Sequence, residues 1–217
     1  GLSGLGLPVT VLEQAGRLLP RQLDLEGAAV FRELVERMGL QVALGADTKA
    51  IQGNAEVRGV LAKDGRHFPA QMVIIATGVR CNFRLAAEAG LPLDRGVVVD
   101  EHMATAAPDV YAAGDVASFQ GRSWGIIPVA MAQATVAAAN MAGERSVYRE
   151  VVPSNTLKIA GIDLTSVGTV VPDGEGFVEV RPPAAAKGTY RKIVLKEGAA
   201  VGAIVIGDRV LARKLEE

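Results

Sequence analysis

Two hydrophobic rhythms alternate along the chain. VTVLE at 9–13 is an unbroken apolar, β-branched run with an acidic residue at its carboxyl edge, the pattern of a buried strand in a parallel sheet. From Asp24 the spacing turns helical. Val30, Phe31, Leu34, Val35 and Met38 recur on one face, with Asp24 placed as N-cap and Gly39 as the stop. The period then shortens, predicting strands near 41–44, 47–52, 56–62 and 66–68, with Lys63-Asp64-Gly65 as a hairpin turn. MVIIATG at 72–78 is predicted as a further buried strand, and residues 2–7 as the last turns of a helix.

Asn82 is positioned to cap a short helix reaching Ala89, closed by Gly90, and VVV at 97–99 and VYAA at 110–113 are predicted strands. Pro128 suits the first position of an Ala-rich helix to Ala142, with Gly143 behind it. Beyond Arg145 strands are predicted near 156–160, 162–167, 177–181, 190–195 and 201–206, a C-terminal α+β module in which VGAIVIG at 201–207 fits a covered sheet. Pro182-Pro183 and the alanines after them read as a loop.

Composition narrows the function classes. The chain has 217 residues, 49% hydrophobic and 22% charged, enough to bury a core in one or two domains. Its formal charge is −1 with no basic block, so the footprint of a nucleic-acid binder is missing. No apolar run approaches the roughly 20 residues that span a bilayer. The single cysteine, Cys81, excludes an internal disulfide and a CxxC pair; it reads as a small buried hydrophobe, and a reducing, cytoplasmic setting suits it. His67 and His102 are not spaced with other ligands, so no metal site is expected. Residues 1–11 begin with Gly1 and have no basic region, and they read as a cut edge rather than a leader.

The candidate chemistry centres on YAAGD at 111–115. A strand ending in small residues and then Gly114-Asp115 puts a carboxylate past the carboxyl end of a sheet, where open α/β sheets bind ligands. Asp115 there suits sugar-type hydroxyls, and it equally suits a strand-ending turn in which it caps the next segment. Glu13 also stands at a strand end and by itself reads as an exposed strand-end glutamate. Gly4 and Gly6 do not complete GxGxxG, because Val9 stands where the third glycine would fall, and they read as a helix end.

The order of these pieces, with LLPRQLD at 18–24, ATGVRCN at 76–82, VVVDEHMAT at 97–105, IIPVAMAQA at 126–134 and TLKIAGIDLTSVG at 156–168, resembles the FAD-containing pyridine-nucleotide disulfide oxidoreductases. Residues 9 to about 168 resemble more narrowly the branch of rubredoxin reductase and NADH-dependent nitrite reductase. The resemblance implies an α/β chain with part of a glutathione-reductase-like fold of two dinucleotide-binding domains, followed by a small C-terminal α+β domain. Its divisions would fall at 1–78 for the latter part of the NAD domain, 79–145 for the second FAD-domain segment and 146–217 for the C-terminal domain. In relatives that last domain packs on the flavin and often helps to form a homodimer.

Carried over by residue, the resemblance assigns Gly114 and Asp115 to the flavin ribityl chain, and the helix opening at Pro128 to the flavin pyrimidine edge. Glu13 would accept from the adenosine ribose hydroxyls of NAD and repel a 2′-phosphate, favouring NADH over NADPH. Thr77 and Gly78 match the loop that leaves the NAD domain, where Gly78 would let backbone approach the dinucleotide, and a tight crossover turn accounts for them as well. Cys81 stands where the family usually has proline. Arg17 and Arg21 are solvated loop charges or reach a phosphate; Trp124 and Lys158 either border the flavin or pack and solvate.

Neither phosphate-binding glycine fingerprint of this family is present in the sequence, and both are expected upstream of Gly1. The leading expectation is an oxidoreductase that moves electrons from NADH through FAD to a small redox protein or metal-centre acceptor. The alternative is a truncated, non-catalytic fragment or interaction module that binds no cofactor. An NAD-sensing regulator is a third reading.

Overall fold

The computed structural model describes residues 1–149, 154–159 and 161–216, and in 154–155, 158–159 and 215–216 the backbone alone. Residues 2–7 open with a 3-10 turn, Leu2–Leu5, closed by Gly6 in the left-handed region. Strand β1 (Val9–Glu13) follows, then helix α1 (Leu25–Arg37) and strand β2 (Leu40–Leu44), which pairs parallel with β1. Helix α1 starts where the sequence predicts, because the Asp24 carboxylate accepts from the Gly27 N–H at 2.9 Å, and it ends before Gly39 at φ +83°. Strand β1 is half-buried rather than buried, since its only described neighbour is β2. Strands β3 (Thr48–Gly53), β4 (Val57–Ala62) and β5 (His67–Pro69) form an antiparallel meander, with Gly65 at φ +90° turning the β4–β5 hairpin.

Residues 72–78 form no strand, contrary to the pattern. Met72, Ile74 and Ile75 are exposed and no described strand lies beside them, so β-branched propensity has no ladder to complete. The predicted strand at 110–113 is also absent. Only Tyr111 bridges, to Ala104, and Ala112 N–H donates to the Met103 carbonyl. The pairing falls further along the chain instead.

In the unit spanning Ala76–Pro153, helix α2 (Arg84–Glu88) begins two residues after Asn82, whose Oδ1 accepts from Arg84 N–H, and Gly90 closes it at φ +71°. Strand β6 (Val97–Val99) pairs parallel with β7 (Ala117–Phe119), not with 110–113. Helix α3 (Ile127–Met141) lies within one residue of its predicted span, with Pro128 in its first turn and Gly143 at φ +84° behind it. Val129, Val136 and Ala137 on α3 pack with Val99, Met103 and Tyr148, and Tyr148 meets Phe119 edge-on with ring centroids 5.2 Å apart. Cys81 is half-buried rather than buried, its Sγ donating to the Arg95 carbonyl at 3.0 Å.

All five C-terminal strands form where predicted: β8 (Ser154–Ile159), β9 (Ile162–Gly168), β10 (Phe177–Val180), β11 (Tyr190–Lys196) and β12 (Ala199–Ile206). They make one antiparallel sheet in the order β10-β11-β12-β9-β8, followed by helix α4 (Arg209–Glu216) on β9 and β12. This sheet belongs to the same compact unit as Gly1–Ile75. Helix α1 lays Ala28, Phe31 and Val35 against Leu164, Ile204 and Ile206, each fully buried large side chain contributing about 2 kcal/mol. Gly27 is needed for that approach, because a Cβ there would stand 3.1 Å from the Tyr190 ring. Ala203 and Val205, on the other face of β12 by alternation, are buried as well. No helix among the described residues is long and apolar enough to cross a membrane.

Candidate functional site

In the first unit, Glu13 closes β1 and its Oε1 accepts from Ala15 N–H at 2.8 Å. One carboxylate oxygen thus holds the turn, and no described hydrogen bond engages the other. Downstream, Arg17 is half-buried and engaged by its own loop. Its guanidinium donates to the carbonyls of Pro20 at 3.0 Å and Leu23 at 3.2 Å, pinning the LLPRQLD loop in which Leu19 takes φ +50°. Arg21 is exposed.

That loop delivers Asp24 into a cluster the sequence did not announce. Asp24 Oδ1 caps α1, while Oδ2 accepts from the Tyr190 hydroxyl at 2.7 Å and lies 3.1 Å from Lys192 Nζ. Lys192 is 1% exposed; its ammonium also lies 2.6 Å from Glu179 Oε1 and donates to the Val170 carbonyl at 2.9 Å. Arg181 adds contacts to Glu179, Glu26 and Asp24 at 2.6, 3.1 and 3.4 Å. Burial pushes the Asp24 carboxyl up, but hydrogen bonds from Tyr190, the Gly27 N–H and Lys192 more than reverse this and leave it below the usual carboxylate range. The Lys192 ammonium likewise holds Glu179 down, and burial followed by the Asp24 acceptor pushes the Tyr190 hydroxyl well up. A recess of about 280 Å³ is lined by the charged members of this cluster with Arg17, Leu25 and Val171. Its charges are balanced and its buried ammonium already has three acceptors, so it is a clamp between α1 and the C-terminal sheet.

The second unit carries the opposite arrangement. Gly114 at φ +77° turns the chain into a short 3-10 segment, Gly114–Val116, a conformation that favours glycine. Its N–H donates to Gln133 Oε1 at 2.8 Å, and a Cβ on it would stand 3.3 Å from Ala130 Cβ on α3. The Asp115 carbonyl accepts from Ser123 Oγ at 2.9 Å. The backbone is therefore held from three sides. The Asp115 side chain, by contrast, is exposed, and its carboxylate makes no hydrogen bond among the described residues. Such a group is set to accept from ligand hydroxyls.

Helix α3 begins beside this turn. Its N-cap, Ile126, provides no side-chain cap, Pro128 lacks an N–H, and both Ile127 and Pro128 are exposed. Thr77 is exposed, and Gly78 takes φ +93° with open space where a Cβ would be. The next residue, Val79, puts Cγ2 3.6 Å from the Cβ position of Gly125, just before α3. So the structure brings the ATG segment, the Gly114-Asp115 turn and the start of α3 into one unit. Trp124 packs against the core there with the Arg122 guanidinium 5.9 Å from its ring centroid, and the Lys158 side chain lies outside the described ones.

Gln133 and Ser123 went unnoticed in the sequence. Gln133 had a signal: it stands four residues after Val129 and three before Val136, on the buried face of an Ala-rich helix. Among the described residues no group of three or more His, Cys, Asp or Glu side chains is arranged to hold a metal ion; His67 is exposed and His102 Nδ1 pairs with the Ser146 carbonyl at 2.6 Å.

Known proteins are similar to this chain in sequence and in fold. The chain is 35% identical over 209 residues to a nitrite reductase [NAD(P)H] of Bacillus subtilis, covering 96% of this chain and 26% of that one. It is 32% identical over 203 residues to the NADH-rubredoxin oxidoreductase of Clostridium acetobutylicum, covering 92% and 48%. The crystal structure of a ferredoxin reductase from Rhodopseudomonas palustris superposes with a TM-score of 0.82 at 28% identity, over 98% of this chain and 54% of that one. The chain thus spans between about a quarter and about half of the proteins it matches. Residues 153–217 match the C-terminal domain of rubredoxin NAD+ reductase. Since residues 2–139 match the pyridine nucleotide-disulphide oxidoreductase pattern, the chain belongs to that family.

Proposed function

We propose that these residues work in an NADH-dependent FAD oxidoreductase that passes electrons to a small redox protein or a metal-centre acceptor, of the kind named for the rubredoxin and nitrite reductase relatives. The observation that carries this reading is the Gly114-Asp115 turn, whose backbone is held from three sides while its carboxylate stays exposed and unengaged. Asp115 accepts from the ribityl hydroxyls, and the uncapped start of α3 at Pro128 places its dipole's positive end toward charge on the isoalloxazine. Thr77 and Gly78 line the dinucleotide path with backbone. Glu13 spends one oxygen on Ala15 and keeps the other for the adenosine ribose of NADH, which disfavours NADPH.

Bound flavin supplies the chemistry of accepting a hydride and releasing electrons singly. The chain's own residues orient it and require no acid–base triad. On this reading residues 1–78 complete the NAD domain, 79–145 the FAD domain, and 146–217 form the C-terminal domain of a cytoplasmic enzyme, with a homodimer as its assembly. A second reading, a cofactor-free interaction module, draws on the exposed Met72, Ile74, Ile75 and Val79. One experiment separates them. The intact protein that contains these residues binds FAD, which loses its visible absorbance on anaerobic addition of NADH; an intact protein that takes up no flavin contradicts the oxidoreductase, and tight FAD binding by residues 1–217 alone contradicts the interaction module.

A further inference from the structure

We propose that Gln133 is the positioning residue of the flavin turn, its buried carboxamide fixing the Gly114 N–H so that Asp115 meets the ribityl chain from a preset backbone. The inference rests on the flavin reading of Gly114-Asp115 given above.

Gln133 is 1% exposed on a helix face otherwise made of Val129, Val136 and Ala137. Burying a polar side chain there costs desolvation, which an apolar residue of the same length would not incur. What the amide adds is an acceptor for one donor, Gly114 N–H, at 2.8 Å. That donor has little alternative. Residues 110–113 form no ladder, and the left-handed turn at Gly114 points its N–H toward α3, where Ala130 one helical turn earlier touches the same glycine. Gln133 and Ala130 therefore seat the turn on α3, and Ser123 Oγ holds the following carbonyl. With all three in place the Asp115 side chain is the one polar group of the turn left outward and unbonded among the described residues.

A group acting through Asp115 has a signature that mere packing lacks, namely that its effect on FAD binding disappears when Asp115 is gone. The test is a cycle of FAD titrations of the intact protein that contains these residues, as wild type, Gln133→Met, Asp115→Ala and the double variant. It is accompanied by amide exchange at Gly114 in protein without flavin. Gln133→Met keeps shape and deletes the acceptor; we expect Gly114 N–H to lose protection and FAD to bind about tenfold more weakly. In the Asp115→Ala background the same change is expected to cost less than about twofold. Gln133→Glu, neutral when buried at about pH 6, retains an acceptor oxygen and is expected to bind within about threefold of wild type. Full additivity in the cycle, wild-type affinity in Gln133→Met, or a tenfold loss in Gln133→Glu overturns the inference while leaving the flavin reading intact. Should Gln133→Met not fold, the Gln133→Glu affinity decides. An intact wild-type protein that takes up no FAD overturns the flavin reading, and the inference with it.

Discussion

The cluster around Asp24 and Lys192 and the turn at Gly114-Asp115 both present carboxylates, yet they have opposite bookkeeping. In the first, a buried ammonium has three acceptors and Asp24 is shared among a helix N–H, a phenol and two cations. In the second, every restraint falls on backbone and the carboxylate is left over. Density of charge and a nearby recess therefore mark the place where the chain holds itself together. On the proposed function, hydrogen-bonding capacity that the chain does not use marks the place where it holds the flavin.

The largest effect belongs to the clamp. Lys192→Met leaves Asp24 and Glu179 without their buried counter-ion and should destabilise the fold by about 3–5 kcal/mol, read from urea unfolding, while FAD affinity of the folded protein stays near wild type. Asp115→Ala should do the reverse: stability within about 0.5 kcal/mol of wild type, but FAD bound about 10- to 100-fold more weakly, as measured by flavin fluorescence.

Acid titration discriminates the two regions next. Asp24 and Glu179 have lowered folded pKa values, so the stability they contribute is complete above their unfolded values near pH 4 and is lost as pH falls through the folded ones. The urea midpoint should therefore drop between about pH 4 and pH 2 in wild type, and drop less in Lys192→Met, which loses the main cause of the lowered Glu179 value and one of several for Asp24, after Tyr190 and the Gly27 N–H. The smallest effect is at Glu13. Glu13→Gln keeps the oxygen that accepts from Ala15 N–H and removes the charge, so stability should hold while the preference for NADH over NADPH narrows by about tenfold or less, read from the two dissociation constants.

What could be read from the sequence was what neighbouring residues decide. Asp24 as N-cap, Gly39 as stop, the β4–β5 hairpin at Gly65 and the five C-terminal strands all follow from local pattern and were all found. Strands at 72–78 and 110–113 were not, because apolar β-branched runs become strands only beside a partner, and the partner of β6 proved to be the modest ASF of β7. The order of motifs singles out Gly114 and Asp115 as candidates; that Gln133 holds the Gly114 N–H needed the fold. Lys192 shows the same limit. It alternates with Tyr190 and Val194 on the buried face of β11, yet YRKIVLK alone allows either face inward, and its partner Asp24 lies far away in sequence.

The most direct measurement is the rise in urea midpoint caused by saturating FAD in wild type and in Asp115→Ala. If the unengaged carboxylate helps to hold the cofactor, the stability gained from FAD is about 1.4–2.7 kcal/mol smaller in Asp115→Ala than in wild type at the same saturating concentration, as about 10- to 100-fold weaker binding requires. An equal gain in both would contradict the account.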